Sequence, residues 1–72
     1  MPTASLSPAK PLVAVITPCY NGERHVENAI KAVQAQTYRP LVHCIVDNAS
    51  TDATPQIIAR YANAEVPIVT IR

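Results

Sequence analysis

Three short apolar runs, Leu12–Thr17, Leu41–Val46 and Val66–Ile71, alternate with two stretches of helical periodicity, and this alternation leaves few folds open to the chain. The runs are rich in β-branched residues, and the first two end at Pro18 and at Asp47, as buried parallel strands do. Between them Val26, Ala29, Ile30 and Val33 follow the i, i+3, i+4, i+7 spacing of one helical face, with Arg24, Glu27, Asn28 and Lys31 on the other. The pattern predicts an amphipathic helix from Glu23 to Ala35, capped by Asn21, supported by the Glu27-to-Lys31 charge order and ended near Thr37 ahead of Pro40. After the second run, Asp47-Asn48-Ala49-Ser50-Thr51-Asp52 is turn and cap chemistry. Pro55 suits a first helical turn, Ser50, Thr51 or Asp52 can cap it, and Ile57, Ile58 and Tyr61 mark one face of a second helix running to about Ala62.

Strand, helix, strand, helix, strand with crossover-length connections describes an α/β chain, a βαβαβ unit with a parallel three-stranded sheet. Ligands of such sheets gather at the carboxyl ends of the strands. The polar clusters Pro18–Glu23 and Asp47–Asp52 both fall there, so spacing alone predicts a site in which Tyr20 and Asp47 share one rim.

Composition narrows the class of ligand. With 49% hydrophobic and 15% charged residues the chain is globular rather than disordered, and a net charge of +1 supplies no basic stripe for nucleic acid. Residues 1–10, rich in Pro, Ser and Ala, read as a loose tail ahead of a domain over 11–72, and no stretch is long and apolar enough for a signal peptide or a membrane span. Cys19 and Cys44 lack metal spacing and read as reduced, core-packed thiols, which fits a cytoplasmic protein. His25 and His43 likewise have no ligand partners at metal spacing and read as structural or solvated.

The first tip, Thr17-Pro18-Cys19-Tyr20-Asn21-Gly22-Glu23, has neither a glycine-rich phosphate cradle nor a P-loop lysine. It offers a ring for a planar base and, in Glu23, an acceptor for sugar hydroxyls. Each has a plainer reading as well, Tyr20 as an aromatic packed over the sheet end and Glu23 as a first-turn carboxylate favoured by the helix dipole. Asp47 is different, because a carboxylate ending a buried strand requires a donor. Either its own turn provides backbone N–H groups or a ligand such as a uracil imide does. Asn48, Ser50, Thr51 and Asp52 read as turn and cap residues, and no Ser, His and Asp arrangement suggests a nucleophilic triad.

Three motifs in order, Val13 to Glu23, then Ala35-Gln36-Thr37-Tyr38, then Ile45 to Thr54, closely resemble the opening of family 2 glycosyltransferases, and the resemblance spans residues 12 to 72. It implies the N-terminal half of a GT-A (Rossmann-like) domain from an inverting enzyme of cell wall or polysaccharide biosynthesis. Such an enzyme moves a sugar from a UDP-, GDP- or dTDP-linked donor to a hydroxyl of an acceptor glycan or lipid. The resemblance places Pro18 and Tyr20 in the base pocket, Glu23 against the nucleoside and Asp47 on the base; Asn48 stands where many members have a second aspartate and receives no ligand role.

The family's D-x-D motif, which holds a divalent metal (Mg or Mn), and its catalytic base have no counterpart in these residues. The piece is therefore expected to bind part of a nucleotide without turnover, in the cytoplasm or peripheral to the inner membrane face. Unpaired outer strands are expected to leave it poorly stable. The competing reading is a non-catalytic nucleotide-binding or interaction module of the same fold.

Overall fold

The computed structural model describes residues 10–72, so the loose tail expected over 1–10 lies almost wholly outside the described residues. The strands are β1 (Val13–Cys19), β2 (Leu41–Asp47) and β3 (Ile68–Ile71), with helices α1 (Val26–Gln34) and α2 (Thr54–Ala59) between them. All pairings are parallel, in the order β1-β2-β3, so β2 is central.

Burial alternates strictly along β2, with Leu41, His43, Ile45 and Asp47 buried and Val42, Cys44 and Val46 half-buried. Period-two burial means that one face of the sheet carries the helices. Val26 and Ile30 of α1 meet Ile57 and Ile58 of α2 over Ile45, which is wholly enclosed. A smaller cluster of Val33, Leu41 and Val66 seals the other end.

The opposite face has no cover among the described residues. Register aligns Ile16, Cys44 and Val69 across the sheet, and Val46 pairs with both Pro18 and Ile71; Ile16 is 66% exposed. The first run is thus not buried on both faces as its composition predicts. Cys44 is half-buried on this open side rather than core-packed, whereas Cys19 packs against the helical core.

The helices are shorter than their periodicity suggests. The Gly22 carbonyl accepts from both His25 and Val26 N–H, which holds residues 23–25 in a turn and starts α1 at Val26, with no side-chain cap from Asn21. Beyond Ala59, Arg60, Tyr61 and Ala62 donate to carbonyls three residues back, so the chain tightens out of α-geometry before Ala62. Glu27, expected to pair with Lys31, accepts instead from the Tyr61 hydroxyl at 2.5 Å, which ties the helices together and lowers the Glu27 pKa. The third strand starts at Ile68 because the Val66 backbone is taken by Gln34, whose Nε2 donates to its carbonyl at 2.8 Å and whose Oε1 accepts its N–H at 3.0 Å.

His43 is fully buried, with Nε2 2.8 Å from Thr17 Oγ1 and no partner on Nδ1. Burial lowers its pKa, because an imidazolium there would lose its hydration. The unfolded chain, with an imidazole pKa of ~6.5, therefore takes up the proton more readily than the native one. Stabilisation by neutral His43 is complete above that value and is lost as pH falls towards the lowered native pKa. Urea unfolding between about pH 7.5 and 5.5, where carboxylates stay ionised, should show the midpoint falling with acid and a flatter response in His43→Gln. Ile45→Ala should cost about 2–5 kcal/mol in the same assay, since it empties the centre of the core.

Candidate functional site

Register brings the two tips together. Cys19 pairs with Asp47 as the last residues of β1 and β2, and Asn48 N–H donates to the Cys19 carbonyl at 2.8 Å, extending the ladder one step. Tyr20 follows immediately and is 62% exposed. Its ring, with Pro18, Cys19, Val46 and Asn48, lines a shallow groove of about 400 Å³ at the carboxyl edge. Another hollow, of about 330 Å³, lies at the opposite end of the sheet between Val13, Val33 and Leu41 and offers only Gln36 and Tyr38 as polar side chains.

Tyr20 and Asp47 share the rim but not the same face. Pro18 and Val46 belong to the open face, whereas Asp47 is on the helix-covered one and is wholly enclosed. One of its oxygens, Oδ1, accepts the Ser50 N–H at 3.1 Å, the turn-satisfied arrangement that the sequence allows. The other, Oδ2, has no hydrogen-bond partner. Arg72 Nε approaches it at 3.8 Å, an ion pair without a hydrogen bond, while the same guanidinium lies 3.4 Å from the Ser50 carbonyl. Sequence reading missed Arg72; the clue is register, since Val46 pairs with Ile71 and the next residue arrives beside Asp47.

A net of hydrogen bonds fastens the two loops. Asn21, at φ 48°, donates its N–H to Ser50 Oγ at 2.8 Å and accepts the Thr51 N–H on Oδ1 at 2.8 Å. Glu23 Oε1 accepts the Ala53 N–H at 2.9 Å, and Glu23 N–H donates to Asp52 Oδ2 at 3.2 Å. Asp52 Oδ1 accepts from Thr54 N–H at 2.9 Å and from the Thr54 hydroxyl, so it caps α2 from one residue before the cap position. Burial alone would raise the Asp52 pKa, but these hydrogen bonds outweigh it and hold the carboxyl below its ordinary range. Burial, reinforced by the charges of Asp47 and Asp52, raises the Cys19 pKa and keeps the thiol protonated at neutral pH, so it is no nucleophile.

Asn21 and Ala49, not Gly22, adopt the left-handed conformation. Asparagine tolerates it; alanine does so at a steric cost that the surrounding net offsets. Among the described residues no group of three or more His, Cys, Asp or Glu is placed to hold a metal ion, and no helix is long and apolar enough to cross a membrane.

The sequence profile of Glycosyl transferase family 2 matches residues 14–72, from the second residue of β1 to Arg72. The chain belongs to glycosyl transferase family 2. Its β1-β2-β3 sheet with alternating helices is the arrangement of the N-terminal half of that family's Rossmann-like domain. It is 42% identical over 52 residues to TuaG of Bacillus subtilis, described as a glycosyltransferase of teichuronic acid biosynthesis, covering 72% of this chain and 21% of the relative. It is 36% identical over 56 residues to the glycosyltransferase AglE of Haloferax volcanii, covering 75% of this chain and 18% of the relative. The chain thus spans about a fifth of the length of these curated relatives.

Ser50 is buried and serves both tips, since its Oγ holds Asn21 and its N–H holds Asp47. Ser50→Ala should lower stability by about 1 kcal/mol through the stranded Asn21 N–H, as read from the urea midpoint at constant slope.

Proposed function

We propose that this chain forms the nucleotide-binding edge of an inverting glycosyltransferase that uses a nucleoside diphosphate sugar. Family membership supports the enzyme class, and the unpartnered Asp47 Oδ2 at the strand tip is the observation that carries the ligand reading. An ionised carboxylate only accepts hydrogen bonds, so a buried one lacking a donor favours a base with an imide or amide N–H. Uracil, thymine and guanine present such a group on their pairing edge; cytosine presents an acceptor at the equivalent ring nitrogen.

In this reading the base lies against Pro18 and Tyr20 with its N–H edge turned inward to Asp47. Arg72, whose Nε lies 3.8 Å from Oδ2, shares the carboxylate with the base when it arrives. Glu23, fixed by the Ala53 N–H, retains lone pairs for a ribose hydroxyl. The reaction is a single displacement. The acceptor hydroxyl forms its bond to the anomeric carbon as the bond to the diphosphate breaks on the opposite face, and the hydroxyl proton leaves to a general base. Among the described residues no group of three or more His, Cys, Asp or Glu is placed to hold a divalent metal, and no residue of this chain is assigned as that base. The likeness to TuaG, described as a glycosyltransferase of teichuronic acid biosynthesis, supports a role in cell wall or polysaccharide biosynthesis, with a glycan or lipid as acceptor.

Calorimetric titration of the protein carrying this chain should show binding of one or more of UDP, GDP and dTDP, with CDP and ADP much weaker. Asp47→Ala and Tyr20→Ala should each weaken binding about tenfold or more, equivalent to ~1.4 kcal/mol. Absence of binding to all three diphosphates would remove the reading.

A further inference from the structure

Asn21 lines no groove and touches no reacting group, yet it sits between the two halves of the proposed site. It follows Tyr20 directly, and its N–H donates to Ser50 Oγ, the hydroxyl of the residue whose N–H satisfies Asp47 Oδ1. The aromatic side of the groove and the buried carboxylate are therefore joined through one short path, Tyr20 to Asn21 to Ser50 to Asp47. The Asn21 carboxamide locks that path from the outer side, its Oδ1 accepting the Thr51 N–H at 2.8 Å and lying 3.4 Å from the Thr51 hydroxyl.

We propose that Asn21 is a positioning residue that sets the Tyr20 groove at a fixed height above Asp47 and thereby sets base selectivity; this rests on the nucleotide-binding reading above. Three demands meet at the position. The backbone lies at φ 48°, where Asn is among the few side chains that fit comfortably. The Thr51 N–H requires a side-chain acceptor from across the gap, which glycine lacks. Asp47, Asp52 and Glu23 already crowd this edge with negative charge, so a neutral carboxamide supplies the acceptor without adding to it. Asn21 meets all three demands; glycine fails the second, whereas aspartate keeps the first two and adds only a solvent-exposed, screened charge.

The selectivity argument is geometric. A base stacked at the groove reaches Asp47 only if its N–H edge arrives at the depth of Oδ2, and that depth is fixed by how β1's tip is held against the loop after β2. With the tie cut, stacking on Tyr20 survives while the edge contact loosens. Affinity then falls mainly for bases that donate to Asp47, and discrimination against cytosine falls with it.

The test uses Asn21→Gly, which keeps the left-handed backbone and deletes the acceptor, and Asn21→Asp, which keeps both. The ligands are CDP and whichever of UDP, GDP and dTDP the unaltered protein binds most tightly. Asn21→Gly should weaken the preferred diphosphate about tenfold, narrow its preference over CDP by a similar factor and shift the melting temperature by only a few degrees. Asn21→Asp should stay within about threefold of the unaltered protein on both counts. Equal affinity and selectivity in Asn21→Gly, or an equal loss in Asn21→Asp, would overturn the positioning role while leaving nucleotide binding intact. If the unaltered protein binds no diphosphate, the underlying reading fails first and this one with it.

Discussion

Parallel pairing of β1 with β2, in the register that ends Cys19 against Asp47, is the constraint on which the remainder depends. Because both strands run out together, their loops leave the sheet side by side, and each can satisfy the other's backbone groups. Asn48 N–H on the Cys19 carbonyl is the first such bond, and the Asn21, Ser50, Thr51, Glu23 and Asp52 contacts build outward from it. A slip of one residue would turn Asp47 to the open face, swing His43 out from between sheet and helices, and break the net.

The same register explains why polar groups accumulate on the covered side. Along β2 the positions facing the helices include His43 and Asp47, both fully enclosed, and each leaves one side-chain polar atom without a partner. Their consequences differ. His43 lies mid-strand, bonded to Thr17, and its neutral state follows from burial. Asp47 lies at the end of the strand, where the sheet stops, with Arg72 Nε 3.8 Å from its Oδ2. In the proposed reading, position along one strand separates a structural buried polar group from one that meets a ligand.

Much of this was legible in the sequence. Runs of β-branched residues and the Val26, Ile30, Val33 spacing predicted every element in order, and Pro18 and the Asp47–Asp52 cluster marked the strand ends. Element boundaries were less accessible because distant groups decide them: Gln34 holds the Val66 backbone away from β3, and the Gly22 carbonyl gathers two N–H groups that would otherwise start the helix earlier. The role of Asn21 was misread for the same reason, since a cap is a local inference and its acceptor is claimed by Thr51, thirty residues away. Arg72 escaped notice because its position depends on β3 register, which no short motif encodes.

The uncovered side of the sheet bears on the groove itself. Pro18 and Val46 belong to both, so the floor on which a base would rest is continuous with the bare plane of Ile16, Cys44 and Val69. Any layer laid against that plane would add a wall to what is now an open ledge, turning it into an enclosed slot. Maturation of the fold and tightening of ligand capture would then be one event, and a nucleotide analogue that reports its own confinement would serve as a gauge of assembly.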